Sequence, residues 1–266
     1  MLWCLKAPTS ERTLIAQLQF DDALSDNTAN AFHAVILGGE NYTEQHKSGE
    51  KSLNLSGTKN YIQLPYEVAD MAEMTLCAWV YWRSSSSAWQ RIFDFGNGTD
   101  QYMFLSPSNG SQMRFAIKNG GDEQTLSTTR LPSMSWHHLA VTLGKDSVCI
   151  YVDGELKAST TDITIRPSDF HPVMNYIGRS QFSNDPFFKG YLDDLRVYNY
   201  ALNASELAAV MEDLGAISNG LESIGALEDS DIVGYYDAEG RQLTQPGKGV
   251  NIVKMKNGKT KKIIVK

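Results

Sequence analysis

The chain has 266 residues, 42% of them hydrophobic and 21% charged, with a formal net charge of −7. That length buries one large core with room for a smaller unit beside it, and no apolar run approaches the roughly 18–20 residues of a membrane-crossing helix. Charge is uneven: residues 231–266 carry eight Lys and Arg against three acids, a balance of +5 that leaves −12 on the preceding residues. An acidic body argues against a nucleic-acid surface, and the tail lysines sit in strand-patterned sequence where they protect a solvated edge.

Cys4, Cys77 and Cys149 are too few and too scattered for a disulfide framework or a metal knuckle. Met1–Lys6 is shorter than the apolar segment of a signal peptide, so an exported protein would have lost its signal or carry it outside this sequence.

In chain order, residues 1–11 read as an extension and Leu14–Phe20 as a first strand. Residues 24–34 are rich in Asp, Asn, Ser and Thr, whose side chains bond nearby backbone and favour turns. Short strands are expected at Lys51–Leu55 and Tyr61–Leu64 around Gly57. Met74–Trp82 (MTLCAWVYW), apolar on both faces, is expected to be central. A polar loop at Ser84–Ser87 leads to strands at Arg91–Phe95, Tyr102–Leu105 and Met113–Lys118, punctuated by Gly-Asn-Gly and Asn-Gly. Ser135–Lys157 then alternates with period 2 through two tight turns, the second at Asp153-Gly154, and reads as a three-stranded meander. A long connection over Asp162–Val173 precedes strands at Met174–Ile177 and Tyr191–Tyr198.

One helix signal follows. Asn203 and Glu206 have capping-box spacing, and Leu207, Val210, Met211 and Leu214 share one helical face. The organisation expected is therefore an extension (1–11), an all-β antiparallel sandwich (12–215), a linker (216–230) and a short β-rich tail (231–266), with Asn257-Gly258 turning a hairpin in the tail.

In this order, FDD near residue 20, GTKNYIQLP, MTLCAWVYW, SWHHLAVTL…CIYVDGEL and GYLDDLRVYNYALNASEL resemble the laminin-G-like, concanavalin A-like jelly rolls over about 200 residues. The resemblance implies two sheets face to face, the outer side of one concave, in a secreted or cell-surface module that binds glycan or protein. VGYYDAEGRQL and GVNIVKMKNGKTKKIIVK resemble the end of the sorting tails of the type IX secretion route, which would make that machinery a partner.

Retaining glucanases of this broad class set two carboxylates about 5–5.5 Å apart, with Glu-x-Asp-x-x-Glu along one strand. No such segment is present, and Asp193 and Asp194, adjacent on a strand, point to opposite faces. The expectation is a non-catalytic accessory module directed to carbohydrate, with protein adhesion or a divergent glycoside hydrolase as alternatives. Glycan contact needs aromatic faces flanked by polar groups, and the candidates are Trp82, Trp89, Arg91, Tyr102 and Arg114. Phe182, Phe187 and Phe188 form a second candidate patch, suited to protein. For metal, relatives with a similar Asp loop and closing-strand Asp hold a structural calcium, which the resemblance carries to Asp26, Asn30 and Asp193; self-capping turn residues are the alternative.

Overall fold

The computed structural model describes residues 11–84, 87–213, 232–237, 241–245, 249–255 and 260–265. The chain divides after residue 215 into two compact units. The expected extension up to residue 10, the linker and the Asn257-Gly258 turn lie outside the described residues.

The first unit packs two antiparallel sheets face to face. The first sheet runs in the order Glu155–Thr160 (β13), Val148–Val152 (β12), Trp136–Leu143 (β11), Met74–Trp82 (β6), Lys189–Tyr198 (β15), Ser52–Ser56 (β4) and Tyr42–Thr43 (β3), with Leu14–Leu18 (β1) also paired to β15. The second runs Gln124–Thr129 (β10), Gln112–Asn119 (β9), Gln101–Ser106 (β8), Phe93–Gly96 (β7), Met174–Ile177 (β14), Tyr61–Leu64 (β5) and Val35–Leu37 (β2). In the tail, Ile232–Asp237 (β16), Gln242–Leu243 (β17), Gly249–Met255 (β18) and Thr260–Val265 (β19) make a separate sheet in the order β17-β16-β18-β19.

The expected three-stranded meander is β11, β12 and β13, and Met74–Trp82 occupies the middle of the first sheet as its two-faced pattern requires. On its inner face Met74, Leu76, Ala78, Val80 and Trp82 join Phe93, Phe95, Met103, Leu105 and Phe115 of the opposite sheet in the main core. Each fully buried side chain of this size contributes about 1.5–3 kcal/mol. On the outer face, Cys77 and its neighbours Ala140, Tyr151 and Tyr198 are covered by Leu207 and Val210 of the helix Ala204–Glu212 (α1). That helix begins with the expected box: Glu206 N donates to Asn203 Oδ1 (3.0 Å) and Asn203 N to Glu206 Oε2 (2.8 Å).

Three strands were not read from the sequence. β2 and β3 are two or three residues long, and β10 (QTLSTT) is a polar edge strand with one buried apolar side chain, Leu126. Edges of this kind lack the alternation that marks an inner strand.

At Gly190, where β15 lies between β6 and β4 in the first sheet, a Cβ would stand 2.2 Å from the Tyr81 carbonyl oxygen and 2.7 Å from a Phe188 ring carbon. Gly190→Ala is therefore expected to lower unfolding free energy by about 1–3 kcal/mol, read as a reduced urea midpoint; an unchanged midpoint would show that the strand shifts freely here.

Candidate functional site

The outer face of the second sheet is where aromatic and charged side chains collect. Alternation along β8 sends Met103 and Leu105 into the core and Tyr102 and Phe104 outward. Their rings stack with centroids 5.7 Å apart, and Phe182, from the 179–188 loop, meets Tyr102 edge-on at 5.4 Å. Across the ladder Phe104 sits beside Ala116 of β9 on one side and Asp94 of β7 on the other.

Arg91 lies beneath Trp89. Its guanidinium is buried 3.9 Å from the Phe104 ring and donates to three acceptors: Asp94 Oδ2 (3.3 Å), Asp185 Oδ2 (2.7 Å) and the Trp89 carbonyl (2.6 Å). Ser180 Oγ donates to Asp185 (2.9 Å) and Gln181 N to Asp94 (3.0 Å), so this cluster fastens the 179–188 loop to the sheet. Tyr102 donates its hydroxyl to Glu123 (2.6 Å), which also accepts from Arg114 Nη2 (2.6 Å), while Arg114 Nε is buried without a partner. Trp89 is held at positive φ (66°) by its N–H bond to the Ser108 carbonyl, and the residue remains 36% exposed.

Four of the five candidate ligand residues, Trp89, Arg91, Tyr102 and Arg114, are thus neighbours on one face, but Arg91 and Tyr102 are buried there, so Trp89 and Arg114 are the candidates open to a ligand. Trp82 is a correction. It points to the inner face, is fully buried and gives its Nε1 hydrogen to Gln90 (2.9 Å), so neither ring face is open to a ligand. Phe104, Glu123 and Asp185 complete the cluster. Alternation with Tyr102 signals Phe104, whereas nothing local marks the two loop acids. The Phe182–Phe187–Phe188 patch is not a unit: Phe188 belongs to the core, Phe187 packs against Tyr61 and Phe182 against Tyr102.

The calcium set Asp26, Asn30 and Asp193 fits a cation poorly. Both Asp26 oxygens already accept hydrogens, from the N–H groups of Gln17, Thr28 and Phe32 and the Thr28 hydroxyl, at 2.7–2.9 Å. Asn30 turns its amide nitrogen to the Ile15 carbonyl (2.8 Å), and Asp193 accepts through Oδ2 from Lys47 N (2.6 Å) and Ser48 N (2.8 Å). Asp26 is thus the acceptor of a self-capping turn, whereas Asp193 is held by backbone amides from a distant segment and keeps Oδ1 buried without a partner, so the three side chains do not share one oxygen cage.

The meander histidines have framework partners. His138 is buried against Trp79, with ring centroids 5.3 Å apart, and burial pushes its pKa down to about 4. His137 lies 2.9 Å from Ser135 Oγ and 2.7 Å from Asp153 Oδ2, while Asp153 Oδ1 accepts from His138 N. This series ties the approach to β11 to the β12–β13 turn. Asp194 takes positive φ (44°) at an irregularity in the β15–β6 register and bonds Arg196 and Gln17, so the adjacent acids serve separate networks.

Residues 56–208 of this two-sheet sandwich, more than half of the chain, match the family model Laminin_G_3. The chain belongs to this family of the concanavalin A-like lectin/glucanases superfamily.

Among curated proteins it is 23% identical over 240 residues to an alpha-L-arabinofuranosidase of Bifidobacterium longum subsp. longum, an alignment covering 81% of this chain and 22% of that protein. The chain therefore spans about a fifth of the relative's length. Among solved structures it resembles domain 4 of AbnA, an extracellular GH43 arabinanase of Geobacillus stearothermophilus, in complex with arabinotriose. There the TM-score is 0.65 at 22% identity, covering 75% of this chain and 98% of that one. It also resembles the CBM40 of a Ruminococcus gnavus sialidase bound to α2,3-sialyllactose, with a TM-score of 0.52 at 20% identity, covering 60% and 96%. At these identities the likeness concerns the fold.

Burial raises the pKa of Asp94 and of Asp193 to about 7 despite their hydrogen bonds. Between about pH 4 and 7 the folded chain thus binds more protons than the unfolded chain, and stability falls as pH rises. Chemical unfolding across that window is expected to lose on the order of a few kcal/mol, with Asp94→Asn removing its share; a flat or rising profile would contradict it.

Proposed function

We propose that the first unit is a non-catalytic carbohydrate-binding module that works outside the cell beside a glycan-degrading enzyme. The observation that carries this reading is the cluster of Trp89, Arg91, Tyr102, Phe104 and Arg114 on one sheet face. The exposed Trp89 ring offers a flat apolar surface for sugar C–H groups, and Arg114 and Glu123 offer hydroxyl partners beside the Tyr102–Phe104 stack. A rigid strand platform places these groups without further ordering on binding.

Two features support the non-catalytic part. Asp94 and Asp185 are both held by Arg91, and Glu123 by Arg114, so the acids of this face are committed to ion pairs. The chain also matches a separate domain of an arabinanase and a binding module of a sialidase, which supports an accessory role. In the same reading the tail acts as a sorting segment for export. Its support is the sequence resemblance, and its test is retention of the protein inside cells after deletion of residues 231–266.

The binding test is titration calorimetry of the full chain with arabinotriose, lactose and sialyllactose. At least one should bind, and Trp89→Ala should weaken it about tenfold, equivalent to about 1.4 kcal/mol. Absence of binding across a broad glycan panel, or binding indifferent to both Trp89→Ala and Arg114→Ala, would overturn the proposal.

A further inference from the structure

Beyond Asp94, the same outer face continues onto β14 and β5. Tyr176 pairs with Asp94 on one side and Gln63 on the other. Gly178 then turns the chain at φ 84°, accepting from Phe188 N (2.9 Å) and donating to the Ile92 carbonyl (3.1 Å). A side chain there would meet Leu55 at 2.5 Å, so glycine fixes this turn. The turn carries Arg179 back over two rings, with its guanidinium carbon 4.7 Å from the Tyr61 centroid and 4.8 Å from that of Tyr176. Those rings meet edge to face at 86°, and the Phe187 ring lies 6.0 Å from that of Tyr61.

Charge separates this corner from the rest of the face. Arg91 is neutralised by Asp94 and Asp185, Arg114 by Glu123, and Lys118 by Asp100. Among the described residues Arg179 has no carboxylate partner; its side-chain hydrogen bond runs from Nη1 to the Tyr61 hydroxyl, 2.6 Å away. The Nε and Nη2 hydrogens, which diverge from that bond, remain for a ligand. They form the edge of the guanidinium fork that receives two carboxylate oxygens in parallel. The flanking rings hold the plane of the fork and, by excluding water from its faces, strengthen its attraction for an anion.

We infer that Arg179, Tyr61 and Tyr176 form a subsite for the carboxylate of an acidic sugar, a uronate or a sialate, at one end of the glycan-binding face. This rests on the carbohydrate-binding reading and specifies the ligand within it. The carboxylate pairs with Nε and Nη2 while the buried Tyr176 supports the guanidinium from below, and the neighbouring residues of the glycan extend toward the exposed Trp89.

The test uses the full chain in calorimetric titrations against two matched pairs. One is an oligogalacturonide and its carboxyl-reduced counterpart; the other is α2,3-sialyllactose and lactose. The acidic member of at least one pair should bind about tenfold more tightly than its neutral partner, and the pair showing the preference tells uronate from sialate. The preference should shrink at high salt, be partly kept in Arg179→Lys, which retains charge without the fork, and vanish in Arg179→Met. Trp89→Ala should weaken acidic and neutral ligands alike. Unfolding midpoints of both Arg179 variants check that the fold persists, and Arg179→Lys serves alone if the Met variant does not fold. Equal affinity within both pairs, or an Arg179 change that weakens both members equally, would overturn the subsite while leaving glycan binding in place. Failure of every ligand to bind would overturn the carbohydrate reading and the subsite with it.

Discussion

The molecule depends on a strand that is apolar on both faces. β6 cannot present either side to water, because Met74, Leu76, Val80 and Trp82 point one way and Cys77, Trp79 and Tyr81 the other. The second sheet covers the first set. The outer set takes three separate covers. α1 lies over Cys77; the backbone of Lys47 and Ser48 is pinned by Asp193 beside Trp79, with the Lys47 ammonium 4.6 Å from the Trp79 ring; and Tyr81 packs between Trp136 and Tyr191. Much of the first sheet's outer face is used in satisfying this one strand. The second sheet, whose strands alternate between core and outer side chains, carries Trp89 and the Arg91 and Arg114 ion pairs on its outer side.

On that face the polar groups are organised from below. A buried guanidinium is tolerated only when several acceptors replace its water, and Arg91 finds three, each on a different segment: Asp94 on β7, Asp185 in the 179–188 loop and the Trp89 carbonyl in the β6–β7 connection. One buried cation thereby sets the relative positions of the exposed tryptophan, the sheet and the loop that carries Phe182. The cost appears at Asp94, whose burial with one oxygen unpaired raises its pKa to about 7. Such a network fixes geometry more than it adds stability.

This division of labour was partly legible in the sequence. Period-2 alternation in MTLCAWVYW and SWHHLAVTL, with turn pairs at Asp153-Gly154 and Asn109-Gly110, is a local property, and it placed the central strands and the sandwich. The side to which a given tryptophan points is not local. Trp82 and Trp89 are both tryptophans in the same stretch, but Trp82 ends a strand on its inward phase while Trp89 sits in a connection at positive φ. Nothing in the intervening RSSSSA reveals that difference. The partners of Asp26 and Asp193 were not legible for a related reason: what a carboxylate accepts depends on which backbone amides arrive from elsewhere, as those of Lys47 and Ser48 reach Asp193 across more than 140 positions of sequence. Glu123 and Asp185 are loop acids of ordinary appearance, singled out only by the two arginines that meet them.

The 179–188 loop is tied to the sandwich at several points along its length. Its two ends are structural, with Gly178 turning against Leu55 and Phe188 entering the core. Between them Ser180, Gln181 and Asp185 bind the Arg91–Asp94 cluster, so the loop cannot lift without stripping a buried guanidinium and carboxylate of their partners. The side chains it presents, Arg179 and Phe182, are therefore held as firmly as strand residues while standing over the sheet. A platform built this way favours ligands that already match its spacing, because little of the binding free energy is lost in ordering the protein. On such a platform selection among ligands comes from where the polar atoms are fixed more than from the area of apolar contact.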